Sequence, residues 1–336
     1  MSDPTPLQVD PRPTPAPAAQ PAGHLARASN PKILHWCATA ASVAIIGLIG
    51  SGGWVRLSGS GLGCPTWPNC TAHQLVAPDR YHALVEFVNR GFITAVGVLI
   101  GVTVLAALVQ RPRRRDVVWL AAGLVIGYIG EAVLGGITVL LKLAPALVAS
   151  HLILAMGLLI DALVLQRRSR PGGGDVEVVD RSVVWLSTLL IVVMLVGVAV
   201  GTVVTGSGPH SGSPGTPRFD LPFASVAELH AVIGMFLFGL TVALWFVLRT
   251  AGVGRATWRR YGTVLGLMAL QGCLGYATYF TKVQVDLAES HIVGGALLLA
   301  ALVLLRLGLR APSKPPVEPA ASTAAAADAQ PAALSR

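Results

Sequence analysis

Long apolar stretches alternate with short polar breaks through the middle of the chain. Eight stretches stand out, at 33–55, 83–109, 116–140, 146–166, 182–204, 225–249, 257–280 and 287–310. A helix rises about 1.5 Å per residue, so each can cross the roughly 30 Å of a bilayer's hydrocarbon core. The pattern predicts an all-α membrane protein with eight transmembrane helices. The polar breaks differ in charge. Arg111, Arg113, Arg114 and Arg115 follow the second stretch; Arg167, Arg168, Arg170 and Arg181 separate the fourth and fifth; Arg249, Arg255, Arg259 and Arg260 separate the sixth and seventh. The remaining breaks carry only Arg56, Arg80, Lys142, Arg218 and Lys282. By the positive-inside rule the Arg-rich breaks and both termini are cytoplasmic, which makes this a multi-pass protein of the cell membrane.

The chain repeats itself. Glu131-Ala-Val-Leu134-Gly135 precedes His151, and Gln271-Gly-Cys-Leu274-Gly275 precedes His291, by the same twenty residues. Ser58-Gly59-Ser60-Gly61 and Gly206-Ser207-Gly208 each follow the first stretch of a set of four. Asn89 stands 62 residues before His151, and His230 stands 61 before His291. The expected organisation is two repeated four-helix bundles: an N-terminal half at 33–166, a cytoplasmic linker at 167–181 and a C-terminal half at 182–310. An even helix count gives both halves one orientation, related by an axis near the membrane normal. The Pro- and Ala-rich ends, 1–32 and 311–336, have too little apolar surface to offset ordering entropy and are expected to be disordered cytoplasmic tails.

Composition agrees. Hydrophobic residues make up 53% and charged residues 12% of the chain, against about 25% charged in soluble domains. The formal net charge of +9 would suit a nucleic-acid partner, but the cations cluster between apolar stretches. Membrane lipid is the partner they imply, not nucleic acid.

Three of the eight histidines, His151, His230 and His291, lie inside stretches, about 8–9 Å from the outer end. Lipid offers an imidazole no partner, so each must be satisfied by the protein or its ligand. A repeat-related pair at one depth, His230 and His291, has the geometry of two axial ligands on a haem iron. In the N-terminal half His151 takes the second position, but Asn89 takes the first. Asn is a poor iron ligand, so this half is expected to hold iron through one protein ligand and leave the other face open. Open ligation suits a reacting haem and two-histidine ligation suits electron carriage. Glu86 lies at i, i+3 from Asn89 and shares its helix face. A carboxylate at that depth is a functional candidate, as proton acceptor or charge stabiliser; the structural alternative is a salt bridge to Arg90 or Lys142. Glu131 is a second intramembrane acid, with neutral Gln271 as its repeat partner. His24, His35, His73 and His82 are read as solvated or structural.

Cys64 and Cys70 lie in an outer loop, where the compartment favours oxidation, so a disulfide is expected; it is either a structural brace or a redox pair. C-x5-C is a poor zinc spacing. Cys37 and Cys273 are read as packing residues. The Gly-rich stretch 52–61 lacks the Lys-Ser/Thr ending of a phosphate loop and is read as a tight exit from the first helix.

Taken in order, these residues resemble the haem A synthase family. The resemblance runs over roughly 33–310 and rests on Val55-Arg56-Leu57-Ser58-Gly59-Ser60-Gly61-Leu62, Cys64-Pro65, Trp67-Pro68, Glu86, Leu134-Gly135-Gly136 with His151, Thr205-Gly206-Ser207-Gly208-Pro209-His210, and the pair His230 and His291. It implies an oxidoreductase that converts a methyl group of haem o to a formyl group, by two hydroxylations and loss of water, making haem A for terminal oxidase assembly. It implies haem b and its iron on His230 and His291. Haem o would sit as substrate near His151, with Asn89 and Arg90 in its pocket and Glu86 required for catalysis. It also implies haem o delivery from a membrane haem o synthase. The electron acceptor stays unidentified, a homo-oligomer stays open, and His210 has no evident role. Many relatives carry His where this chain has Asn89. Two rival readings are a two-haem electron-transferring cytochrome b, which would want a histidine pair in both halves, and a repeat-built transporter, which would purify colourless.

Overall fold

The computed structural model describes residues 31–73, 76–170, 175–177 and 179–312. The tails expected to be disordered lie outside these residues except at their inner edges, and so does His24. Eight long helices follow one another: α1 Pro31–Leu57, α2 Tyr81–Val109, α3 Arg115–Leu140, α4 Pro145–Arg168, α5 Arg181–Ser207, α6 Phe223–Thr250, α7 Arg255–Phe280 and α8 Val285–Leu307. Seven are long and apolar enough to cross a membrane; α7 is not among them. The sequence reading gave all eight equal standing. The difference lies in the arginines at the start of α7, Arg255, Arg259 and Arg260, and in polar Gln271 further along. At 26 residues α7 is long enough to span.

Each half pairs its helices the same way. α1 packs along α2 and α3 along α4; α5 packs along α6 and α7 along α8. The halves meet through α1, α4, α5 and α8, which form the middle of the molecule. Accordingly α8 carries a long buried series from Ala288 to Leu305. The outer helices show large apolar side chains to the surroundings, among them Val88, Ile126, Ile129, Phe236 and Phe246. Lipid makes such exposure favourable; water would not. Within the C-terminal half α6 and α7 barely touch, whereas α2 and α3 pack more fully.

The repeat extends to backbone detail in the turns α3–α4 and α7–α8. Leu143 N–H donates to the Thr138 carbonyl at 2.8 Å, and Val283 N–H donates to the Thr278 carbonyl at 2.8 Å. Both turns use two consecutive non-glycine residues with positive φ: Lys142 (52°) with Leu143 (59°), and Lys282 (59°) with Val283 (64°). Each such residue costs about 1 kcal/mol or more.

One short addition interrupts the all-α pattern. Strand β1, Asp175–Glu177, pairs antiparallel with β2, Arg310–Pro312, with Val176 opposite Ala311. The linker and the first residues after 310 therefore meet, where the sequence suggested a plain linker and a tail disordered from 311. Arg167 ties the same region, donating to the carbonyls of Leu307 and Arg310.

Candidate functional site: two histidine pockets

In the C-terminal half, His230 on α6 and His291 on α8 face each other. Their ring centroids are 6.0 Å apart and the rings are 75° from coplanar. An imidazole nitrogen bound to a metal lies about 2 Å from it, and the ring centre about 1 Å beyond, so two rings gripping one ion stand about 6 Å apart. The observed spacing meets that requirement. Both Nδ1 atoms are buried without a hydrogen-bond partner among the described residues. Glycines make room for the rings. A Cβ at Gly201 would come within 3.0 Å of His230 Cε1, and one at Gly275 within 3.1 Å of His291 Cε1. Gln271, one helix over, donates from Nε2 to the His291 backbone carbonyl at 3.0 Å and leaves the ring alone.

The N-terminal pocket repeats the frame with different chemistry. Gly135 admits the His151 ring as Gly275 admits His291, with Cε1 3.3 Å from the position a Cβ would take. Glu131, the counterpart of Gln271, sets Oε2 2.7 Å from His151 Nδ1. This contact is bent: neither His151 Nδ1 nor Glu131 Oε1 has an aligned hydrogen-bond partner among the described residues. A carboxylate on the second ring nitrogen fixes the tautomer and raises basicity at the other, which is the usual support for a metal-binding histidine. Asn89 does not stand free. Its Oδ1 accepts a hydrogen bond from Ser51 Oγ of α1 at 2.7 Å.

The cysteine loop packs against α2 and α3 of the same half. Cys64 and Cys70 are disulfide-bonded. Glu86 is buried, 4% exposed, and both its oxygens are engaged. Oε2 accepts from the Cys64 N–H at 2.7 Å, and Oε1 pairs with Arg90 Nη2 at 2.7 Å. Arg90 also donates to the carbonyls of Cys64, Thr66, Pro68 and Asn69. Glu86 and Arg90 together pin the loop to α2, the structural alternative the i, i+4 spacing allowed. The pinned loop lays the Trp67 indole against Gly136 of α3, where a Cβ would come within 2.7 Å of the ring. Gly135 thus admits a histidine, and Gly136 beside it admits the tryptophan of the loop.

Comparison with known proteins agrees with this architecture. The family model described as COX15-CtaA, cytochrome oxidase assembly protein, matches residues 35–303. The chain belongs to the COX15-CtaA family. A curated relative, the "Heme A synthase" of Shewanella oneidensis, is 26% identical over 303 residues, covering 76% of this chain and 90% of that protein. The COX15-CtaA match spans both histidine pockets and the cysteine loop.

Other histidines fall where sequence reasoning put them or gain a partner it could not see. His35 Nδ1 donates to the Gln166 carbonyl at 2.9 Å, and His82 shares a 2.9 Å hydrogen bond with Ser60. His73 is exposed. His210, which the sequence left without a role, donates from Nε2 to the Val283 carbonyl at 2.9 Å and braces the α7–α8 turn. It also borders a cavity of about 210 Å³ between Arg56 and Arg218, lined by none of the pocket histidines. Cys37 is half-buried, but Cys273 is exposed on α7 and is not a packing residue.

Proposed function

We propose that this protein is a haem A synthase of the cell membrane, oxidising a methyl group of haem o to a formyl group. The observation that carries the reading is the repeat-related pair His230 and His291, whose rings stand 6.0 Å apart across α6 and α8. Membership of the COX15-CtaA family and likeness to a curated haem A synthase support it. In this reading His230 and His291 hold haem b, which supplies one-electron transfer when bound. His151 holds the substrate, haem o, in the N-terminal half, its ring oriented by Glu131. Asn89 leaves the opposite face of the substrate without a histidine. The disulfide-bonded loop, held by Glu86 and Arg90, packs Trp67 on Gly136, the neighbour of the glycine that admits the His151 ring. Glu86 takes up a proton at Oε1 only when its pair with Arg90 opens, so loop movement and proton acceptance are coupled. In the same reading, the positive-inside rule puts both termini on the cytoplasmic side and the cysteine loop outside.

Purification together with a source of haem o, followed by extraction and chromatography of the bound porphyrins, tests the reading. The expected result is haem b with haem o and haem A. A colourless protein would favour a transporter, and haem b without any new haem species would favour an electron carrier.

A further inference from the structure

Lys142 and Lys282 are 140 residues apart and occupy the same place in the duplicated turns. Each is the first of two consecutive left-handed residues. Among the described residues these two turns hold all the non-glycine residues with positive φ. Glycine or asparagine enters that conformation more freely, so lysine is a poor choice on backbone grounds alone. The neighbours differ between halves: Leu141 against Thr281, Leu143 against Val283, Ala144 against Gln284. Lysine is the same in both.

Both turns are firmly held. Leu143 is 7% exposed and packs into the backbone of Gly61 and Gly212, and His210 grips the Val283 carbonyl. The two lysine side chains, by contrast, are exposed and make no hydrogen bond or ion pair among the described residues. Of the other cations at this end, Arg56 is committed to the carbonyls of Thr205 and His210, Arg90 to the cysteine loop and Arg218 to the Pro209 carbonyl, while Arg80 at the start of α2 is exposed and precedes neither pocket histidine's helix.

Each lysine lies nine residues before a pocket histidine, and each histidine lies six residues, about 9 Å, inside its helix. His230 and His291 enter from the same end at nearly equal depth, so a flat porphyrin gripped between them stands edge-on, its plane running along the helices. One edge then faces the middle of the bundle, where Leu237, Leu244, Val264 and Met268 are buried. Carboxylates there would be desolvated without a partner. The other edge faces the loop end, within reach of a long flexible lysine.

We propose that Lys282 anchors the propionate carboxylates of the haem held by His230 and His291, and that Lys142 does the same for the substrate porphyrin in the N-terminal half. The assignment rests on the haem reading of the two pockets. It gives the strained turns a reason: they hold an ammonium group over each pocket mouth at a fixed height above the histidine.

The test uses full-length protein purified without haem and titrated with haem b and with its dimethyl ester, following the low-spin signal of the two-histidine site. Wild type is expected to prefer the free diacid by about tenfold, the scale of one charge-assisted pair at a half-exposed site. Lys282→Asn keeps a residue that tolerates the turn and is expected to abolish the preference while leaving ester affinity within about twofold. Lys282→Gly, the residue least strained there, should behave the same, and Lys282→Arg should restore the preference. Lys142→Asn should leave this signal unchanged. If Lys282→Asn and Lys282→Gly both retain the wild-type preference, the anchor assignment is overturned while the haem reading stands. If wild-type protein binds neither porphyrin, the haem reading falls and takes the anchors with it.

Discussion

The two halves share a backbone and differ in what they place inside it. In the C-terminal half two imidazoles face each other, glycines clear their way, and the nearby amide of Gln271 binds a backbone carbonyl. In the N-terminal half one imidazole leans on a carboxylate, the matching position is an asparagine tied to Ser51, and a disulfide-bonded loop packs against α2 and α3. Intramembrane carboxylates are costly to keep; the N-terminal half sets Glu131 against its histidine, whereas Glu289 of the C-terminal half, two residues before His291, packs against Gly50 and Gly53 of α1. In the proposed reading the contrast separates holding from reacting. A symmetric pair with no carboxylate set against either ring suits a permanent electron-carrying group. A single oriented histidine with no second histidine opposite it suits a molecule that must enter, change and leave.

The largest expected effect breaks the first side of the contrast. His230→Ala or His291→Ala is expected to remove nearly all of the low-spin haem signal in reduced-minus-oxidised spectra, whereas His151→Ala leaves it. A wild-type low-spin spectrum in both of the first two variants would end the ligand assignment. Next comes Glu86. Glu86→Gln can still accept from the Cys64 N–H but loses the charge that meets Arg90. Haem A formation is expected to fall about 100-fold, the lower range for loss of a positioned acid or base, with C-terminal haem content unchanged. Unaltered product yield from this variant removes Glu86 from the reaction and leaves it a loop anchor. Asn89→His attacks the difference itself. It should convert the reacting pocket toward the carrying type, adding a second low-spin signal and lowering product formation about tenfold. High-spin character that persists with full turnover would show that Asn89 does not face the substrate.

What the sequence could and could not disclose follows from the kind of information involved. Helices α1 to α6 and α8 were legible because a span in lipid must be apolar for most of its length, and their observed ends fall within a few residues of the hydropathy breaks. α7 was read as an apolar stretch like the others, although the arginines at its start and Gln271 weaken its apolar signal. Pairing His230 with His291 needed only equal offsets, which imply equal depth. The pairing of Glu86 with Arg90 was readable from an i, i+4 spacing. By contrast, the contacts of Glu131 with His151, Asn89 with Ser51 and Trp67 with Gly136 depend on how each helix is rotated about its axis and how the loop folds back. Hydropathy says nothing about rotation when a helix is apolar all round. The β1–β2 pair, three residues on each side and far apart in sequence, carries no periodic signal at all.

The smallest expected effect concerns the cysteine loop. Cys64 and Cys70 close a loop of sequence separation 6, so the cross-link removes little freedom from the unfolded chain, about 2 kcal/mol on the chain-entropy estimate. The loop has other restraints: the Cys64 N–H on Glu86, four carbonyls on Arg90, and Trp67 on Gly136. Cys64→Ser with Cys70→Ser is therefore expected to slow product formation by about two- to threefold and to lower the melting temperature slightly, with the low-spin haem of the other half untouched. If the bond instead cycles during turnover, the double variant should lose activity as completely as Glu86→Gln, and thiol reductant should mimic it in the wild type. A brace predicts that reductant and substitution have the same small effect, confined to the half to which the loop belongs.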